Sequence, residues 1–326
     1  MGNPEEKCIN RQVLAKTGFF SRSGFPSPLA YVRPQEMAPR FHKINIEISN
    51  ICNFQCSFCP EVIRSKQLMR LPLFETVIEQ VAPLTEQVTF HLMGEPLLHP
   101  DLAQMLDLCG NKNVRVFFVS NGALLTDTRA KLLLHPAIRQ VNFSVHSFAD
   151  NHPGEDPEPY LSKIFRFTRD AFEYRPDLYL NYRLWNLEGP EMDHETNTRI
   201  RRLIEKEFNV EIPGVGDVRK QKSHRLLNRL YIHYDTEFIW PDPSLPELGD
   251  RGTCMGLRNH IGILADGTVV PCCLDKEGRI PLGKIGEKPL LEILDSPKAR
   301  EMLEGFLARK LTDPLCRRCQ YVTRFS

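Results

Sequence analysis

From residue 43 onward, short apolar runs alternate with longer stretches in which apolar residues recur every three or four positions. The short runs, near 43–48, 87–92, 114–119, 139–145 and 178–185, predict strands. The periodic stretches, near 73–83, 100–110, 125–134, 159–172 and 194–206, predict helices. Strand and helix in strict alternation predict parallel strands joined by right-handed helical crossovers, an α/β fold. A sixth strand before residue 235 has no clear pattern. Residues 1–42 carry Gly24, Pro26, Pro28, Pro34 and Pro39 without periodicity and are expected to be an N-terminal extension lying over the rest. Residues 236–253 are rich in Pro and Gly and read as a linker. Beyond it, 254–326 forms a second unit. A hairpin is expected there, with strands Ile261 to Leu264 and Thr268 to Val270 around an Asp266-Gly267 turn, then a helix near 288–306.

Length and charge narrow the field. At 326 residues the chain is ample for about two domains of ~150 residues. Lys and Arg number 42 against 41 Asp and Glu, so no global field argues for nucleic acid as a partner. No apolar run approaches the ~20 residues of a membrane span, and the N-terminus lacks an apolar signal core. A cytoplasmic protein with no membrane partner is expected.

Ten cysteines are many for such a chain, and seven fall into two groups. In a reducing compartment clustered cysteines bind metal more often than they pair. Cys8 and Cys109 stand alone, and Cys109 has the setting of a small buried hydrophobe. The first group, Cys52, Cys56 and Cys59, lies in Ile51-Cys-Asn-Phe-Gln-Cys-Ser-Phe-Cys-Pro60, directly after the first strand. Three thiolates on one loop hold three irons of a 4Fe–4S cluster and leave the fourth open to a ligand. Ligands gather at the carboxyl ends of parallel strands, where this loop lies. The second group is Cys254, Cys272, Cys316 and Cys319, with Cys273 adjoining. Four thiolates, two across the hairpin and two on a closing loop, can meet at one metal centre.

The first run, C-x3-C-x2-C with Phe58 in the aromatic slot before the third cysteine, resembles the signature loop of the radical S-adenosylmethionine (SAM) enzymes. The resemblance implies a partial (β/α)6 barrel. It also implies a 4Fe–4S cluster on Cys52, Cys56 and Cys59 that binds SAM and, once reduced, cleaves it to a 5′-deoxyadenosyl radical. His91-Leu-Met-Gly-Glu-Pro96 is similar to that family's G-G-E-P segment, with Met93 in the first glycine's place. Met93, Gly94, Glu95 and Pro96 are therefore expected to seat the methionine moiety of SAM, the backbone and acidic side chain receiving its ammonium. Ser120-Asn121-Gly122 resembles the T-N-G turn, and Val141-Asn-Phe-Ser144 the pattern of the fourth strand. Asn121 and Ser144 are then SAM contacts, against the plainer reading of Asn121-Gly122 as turn chemistry.

On the fifth strand, alternation puts Asn181, Arg183 and Trp185 on one face, and an arginine in a barrel mouth suits a carboxylate from SAM or substrate. His146 is a candidate acid–base group or a structural histidine.

The C-terminal cysteines resemble the SPASM domain and its shorter twitch form, implying one auxiliary 4Fe–4S cluster on Cys254, Cys272, Cys316 and Cys319. Cys272 and Cys273 compete for the second place; G-x4-C spacing favours Cys272, leaving Cys273 as a spare thiol able to face the active site. The implied activity is hydrogen abstraction for dehydrogenation, or modification of a peptide or protein, assisted by the auxiliary cluster. The expected partners are a small-molecule or peptide substrate and an electron donor such as flavodoxin or ferredoxin. Two rivals remain: the same catalytic cluster beside a zinc platform, acting on RNA or another substrate, and a non-catalytic protein holding zinc at both groups.

Overall fold

In the computed structural model, residues 40–189, 193–237 and 239–325 are described. They lie in one compact unit that begins at Met37. The expected N-terminal extension falls, except for residues 40–42, outside the described residues.

The five anticipated strands are present as β1 (Lys43–Ile46), β2 (Gln87–Phe90), β3 (Arg115–Ser120), β4 (Ile138–Phe143) and β5 (Tyr179–Leu187). Between them run α1 (Leu71–Val81), α2 (Leu102–Asn111), α3 (Asp127–Leu133), the short α4 (Ser147–Asn151) and α5 (Glu158–Tyr174), and α6 (Glu195–Phe208) follows β5. The strand with no clear pattern belongs to an edge hairpin, β6 (Ser223–Leu227) and β7 (Leu230–Thr236). β7 pairs parallel to β5 and completes six parallel strands. Its register was obscure because His233 and Asp235 alternate with buried Ile232 and Tyr234, so half its residues are polar.

The C-terminal hairpin is β8 (His260–Ile263) and β9 (Thr268–Val270), closed by Leu264 N–H to Thr268 O at 2.8 Å. β8 pairs parallel to β1, so the hairpin extends the barrel sheet rather than standing apart from it. With β10 (Gly283–Lys284) on the far edge, the order is β10-β9-β8-β1-β2-β3-β4-β5-β7-β6, an unclosed barrel of ten strands. The single helix expected near 288–306 is two helices, α7 (Leu290–Leu294) and α8 (Pro297–Leu307). Pro297 has no N–H to continue the first helix, and the Ser296 hydroxyl accepts from Ala299 N–H to start the second.

The two faces of the sheet differ in chemistry. Ile44, Ile46, Val88, Phe90, Val116, Phe118, Val141, Phe143, Leu180 and Tyr182 are buried in the core. Helix residues such as Phe74, Val77, Ile78, Leu161 and Phe167 belong to the same cluster. Edge-on aromatic contacts, Phe74 to Phe90 and Phe143 to Phe167, each at 5.7 Å, bind helices to strands. The alternate strand residues face the lumen and, apart from Phe117 and Val119 of β3, are largely polar. Asn45 donates to Ile261 O, Asn142 to Phe118 O, and Asn181 to Asn142 Oδ1, stitching β1 to β8, β4 to β3 and β5 to β4.

Candidate active site

The carboxyl ends of β1 to β4 open on a cavity of about 940 Å³ whose walls include Cys52, Cys56 and Cys59 with Phe58, His91 to Pro96, Asn121 and Ser144. The N-terminal cysteine loop, the Met93–Pro96 segment and the third- and fourth-strand residues named from the sequence therefore share one chamber. Arg183 and His146 are not among its wall residues.

The loop is held by its neighbours rather than by regular structure. Cys59 N–H bonds to Cys56 O at 3.1 Å in a tight turn. The Asn121 amide reaches Cys52 Sγ at 3.8 Å and Asn53 Oδ1 at 3.0 Å, while its own Oδ1 accepts from Ala123 N–H. Asn151 donates to Cys56 Sγ at 3.1 Å and accepts from Gln55 N–H at 2.7 Å, and Asp150 accepts from the Ser57 hydroxyl at 2.7 Å. Asp150 and Asn151, at the end of α4, carried no sequence signal. They lie more than ninety positions from their partners, and nothing local marks a polar pair as a clamp. Hydrogen bonds to ligand sulfur tune a cluster's potential and orient its ligands.

Burial raises the pKa of all three thiols. Cys59 opens on the cavity but is otherwise walled by protein, and with its two neighbouring thiols this pushes it up to about 12. Such thiols are not reactive nucleophiles by themselves; metal binding is what deprotonates them.

The segment after β2 fits against the loop through its backbone. Gly94 adopts φ +77°, and a Cβ there would stand 2.3 Å from Ser49 O and 2.9 Å from Ile51 O. Glu95 N–H bonds to Ile51 O at 2.8 Å. The Glu95 carboxylate, 1% exposed, accepts from Leu97 N–H at 3.0 Å and Asn121 N–H at 2.7 Å. Burial lifts it to about 7, against the pull of those two amides. Its visible work is to join the turns after β2 and β3. His146 Nδ1 lies 2.9 Å from Arg183 O and its ring 4.9 Å from that of Phe58; burial lowers it to about 4, so it is neutral at pH 7 and ties β4 to β5.

The C-terminal cysteines converge from three segments. Cys272 lies within electrostatic reach of Cys273, Cys254 and Cys316, and Cys316 of Cys254 and Cys319. Burial raises all of them, Cys319 to about 11. Cys273 packs on the cluster of Leu92, Leu264 and Val270 and lies within electrostatic reach of Lys43 as well as of Cys254 and Cys319. Among the described residues no three His, Cys, Asp or Glu side chains converge closely enough to hold a single ion. Three thiolates on one loop and four in the second group match in number what iron–sulfur cubes take, three with a vacancy or four.

The family model described as "Radical SAM superfamily" matches residues 46–188, and that described as "Iron-sulfur cluster-binding domain" (SPASM) matches 254–320. The chain belongs to the radical SAM superfamily. Its radical SAM domain implies a 4Fe–4S cluster and SAM, and its SPASM domain implies auxiliary iron–sulfur binding.

Over 116 residues it is 28% identical to the S-adenosyl-L-methionine-dependent 2-deoxy-scyllo-inosamine dehydrogenase of Niallia circulans, covering 33% of this chain and 46% of that protein. Over 112 residues it is 27% identical to GTP 3′,8-cyclase of Microcystis aeruginosa, covering 32% and 34%. The match thus spans less than half the length of either relative. Among solved structures, BtrN in complex with AdoMet and 2-DOIA superposes with TM-score 0.56 at 18% identity, over 87% of this chain and 94% of that one. SuiB of Streptococcus suis bound to precursor peptide SuiA gives 0.56 at 14%, over 87% and 70%. His-tagged anSMEcpe with bound AdoMet gives 0.54 at 16%, over 87% of each. Identities this low speak for the fold alone. Among the described residues no helix is long and apolar enough to cross a membrane.

Proposed function

We propose that this radical SAM enzyme is a SAM-dependent oxidoreductase that dehydrogenates a small molecule or a peptide side chain. When bound, the two clusters and SAM supply a hydrogen-abstracting radical and an acceptor for the substrate's second electron. Cys52, Cys56 and Cys59 would hold the cluster that binds SAM, with Asn121 and Asn151 donating to their sulfurs. The Gly94 backbone, Met93, Pro96 and Ser144 would line the methionine end of SAM, while Glu95 fixes the turns that present them. Cys254, Cys272, Cys316 and Cys319 would hold the auxiliary cluster, leaving Cys273 packed on Leu92, Leu264 and Val270.

One observation carries this reading. β8, which leads into the hairpin of Cys272, is hydrogen-bonded to β1, which leads into the Cys52 loop. β9 runs antiparallel to β8, so Cys272 returns toward the amino end of that pair while the Cys52 loop follows the carboxyl end of β1; the two groups lie toward opposite ends of adjacent strands. That is the arrangement a two-electron oxidation needs, with hydrogen abstraction at one end and an electron acceptor at the other. The inosamine dehydrogenase among the sequence relatives favours the same reading.

The test is anaerobic reconstitution followed by iron analysis and assay of 5′-deoxyadenosine. Wild type should carry about eight irons, two 4Fe–4S clusters, and release 5′-deoxyadenosine only with reductant. Cys272→Ala should lose about half the iron and keep SAM cleavage, whereas Cys273→Ala should keep all of it. One zinc and about four irons per chain would replace this proposal with the zinc-platform reading.

A further inference from the structure

Arg183 stands on β5 directly opposite His233 of β7, and Lys43 on β1 directly opposite His260 of β8. Both cations belong to the polar lumen face. Arg183 lies over the Trp185 ring, 4.2 Å from its centroid, and Trp185 Nε1–H donates to His233 Nδ1 at 3.0 Å. The guanidinium is thus stacked and oriented, yet its Nε is buried with no hydrogen-bond partner. Among the described residues neither Arg183 nor Lys43 meets a carboxylate. The nearby acid, Asp235, is already paired with Lys222 and Arg324.

His91 joins the two cations: it lines the cysteine-loop cavity and feels both Arg183 and Lys43, which with burial hold it neutral. Both cations therefore act on His91 from the lumen face, and Lys43 also reaches Cys273. A half-buried guanidinium whose Nε is buried without a partner is unfavourable, and a fold keeps one where something else brings the acceptor. A planar, stacked guanidinium with free N–H groups matches an oxyanion bidentately.

We propose that the substrate carries an oxyanion, a carboxylate or a phosphate, and that Arg183 with Lys43 receives it in the lumen. SAM also has a carboxylate, but Arg183 is absent from the walls of the cavity that the cysteine loop and the Met93–Pro96 segment share. The inference rests on the reading above only in taking the lumen as the substrate's place.

Calorimetry and thermal melting of the full-length reconstituted holoenzyme, saturated with SAM and without reductant, test it independently of turnover. Inorganic phosphate and malonate serve as probes and myo-inositol as the neutral control. Wild type should bind one of the anions saturably and melt at higher temperature with it, and should ignore inositol. Arg183→Met should lose the binding yet melt close to the wild-type temperature without anion, because its buried Nε has no hydrogen bond to lose. Arg183→Lys should bind about tenfold more weakly, since an ammonium lacks the fork. Unchanged anion affinity in either variant overturns the proposal. So does anion binding that disappears when SAM saturates, which would give Arg183 to the SAM carboxylate.

Discussion

Gly94→Ala probes how the site is built more directly than removal of any cysteine. The position has φ +77°, and an added Cβ would fall 2.3 Å from Ser49 O, 2.8 Å from Ser49 C and 2.9 Å from Ile51 O. Left-handed backbone costs an L-residue about 1–2 kcal/mol. Overpacking against atoms that cannot rotate away adds about 1–3 kcal/mol, so the total is about 2–5 kcal/mol. Gly154 supplies the control, with φ +80° and nothing within 4 Å of its Cβ, so Gly154→Ala should show the backbone term alone. Each kcal/mol moves Tm by about 2–4 °C in domains of 150–250 residues, and less in a longer chain. Melting both variants at one scan rate should therefore place Gly94→Ala well below Gly154→Ala. Because the wall it strikes is the backbone leading into Cys52, Gly94→Ala should also retain less iron at the first cluster, and Gly154→Ala should not. Equal Tm and equal iron in the two variants would refute the claim that backbone contact between these turns sets the loop.

Two further outcomes follow from the geometry. Glu277 accepts from Ile63 N–H, Arg64 N–H and Lys276 Nζ, while Arg64 pairs with buried Glu47 and donates to Lys276 O, so the flank of the cysteine loop is pinned to the C-terminal unit. Glu277→Gln should weaken these charge-assisted bonds by about 1–3 kcal/mol, and trypsin should cut faster at Arg64 and Lys66; an unchanged cleavage rate would count against the pinning. Burial, first among the causes, lowers His146, His233 and His260 each to about 4. Between pH 4 and an unfolded value near 6.5 the unfolded chain binds more protons, so stability is full above about pH 6.5 and falls as pH drops toward 4. The loss is up to about 3 kcal/mol per histidine. Urea midpoints at pH 7, 6 and 5 should decline in that order, and a flat profile would contradict the histidines' burial.

Local pattern decided much of this protein. Five strands and the helices between them follow from periodicity in the chain itself, because a helix face and a strand face each repeat over a few residues. The cysteine spacings likewise named two metal-binding groups, since ligands on one loop must be near in sequence. What the chain could not announce are pairings made across distance. β7 was masked by lumen-facing polar residues, and the bond of β8 to β1 depends on how two remote segments stack. Asp150 and Asn151 gained meaning only when α4 was brought against the cysteine loop. Glu95 reads from the sequence as a ligand for an ammonium; only the fold shows that its carboxylate also accepts from two backbone amides. Arg183 was legible as a strand-end cation, but its lack of a counter-ion is a property of the closed lumen. Sequence sets which groups are available over short range; folding sets which of them are left unpaired, because that is settled by neighbours hundreds of positions away.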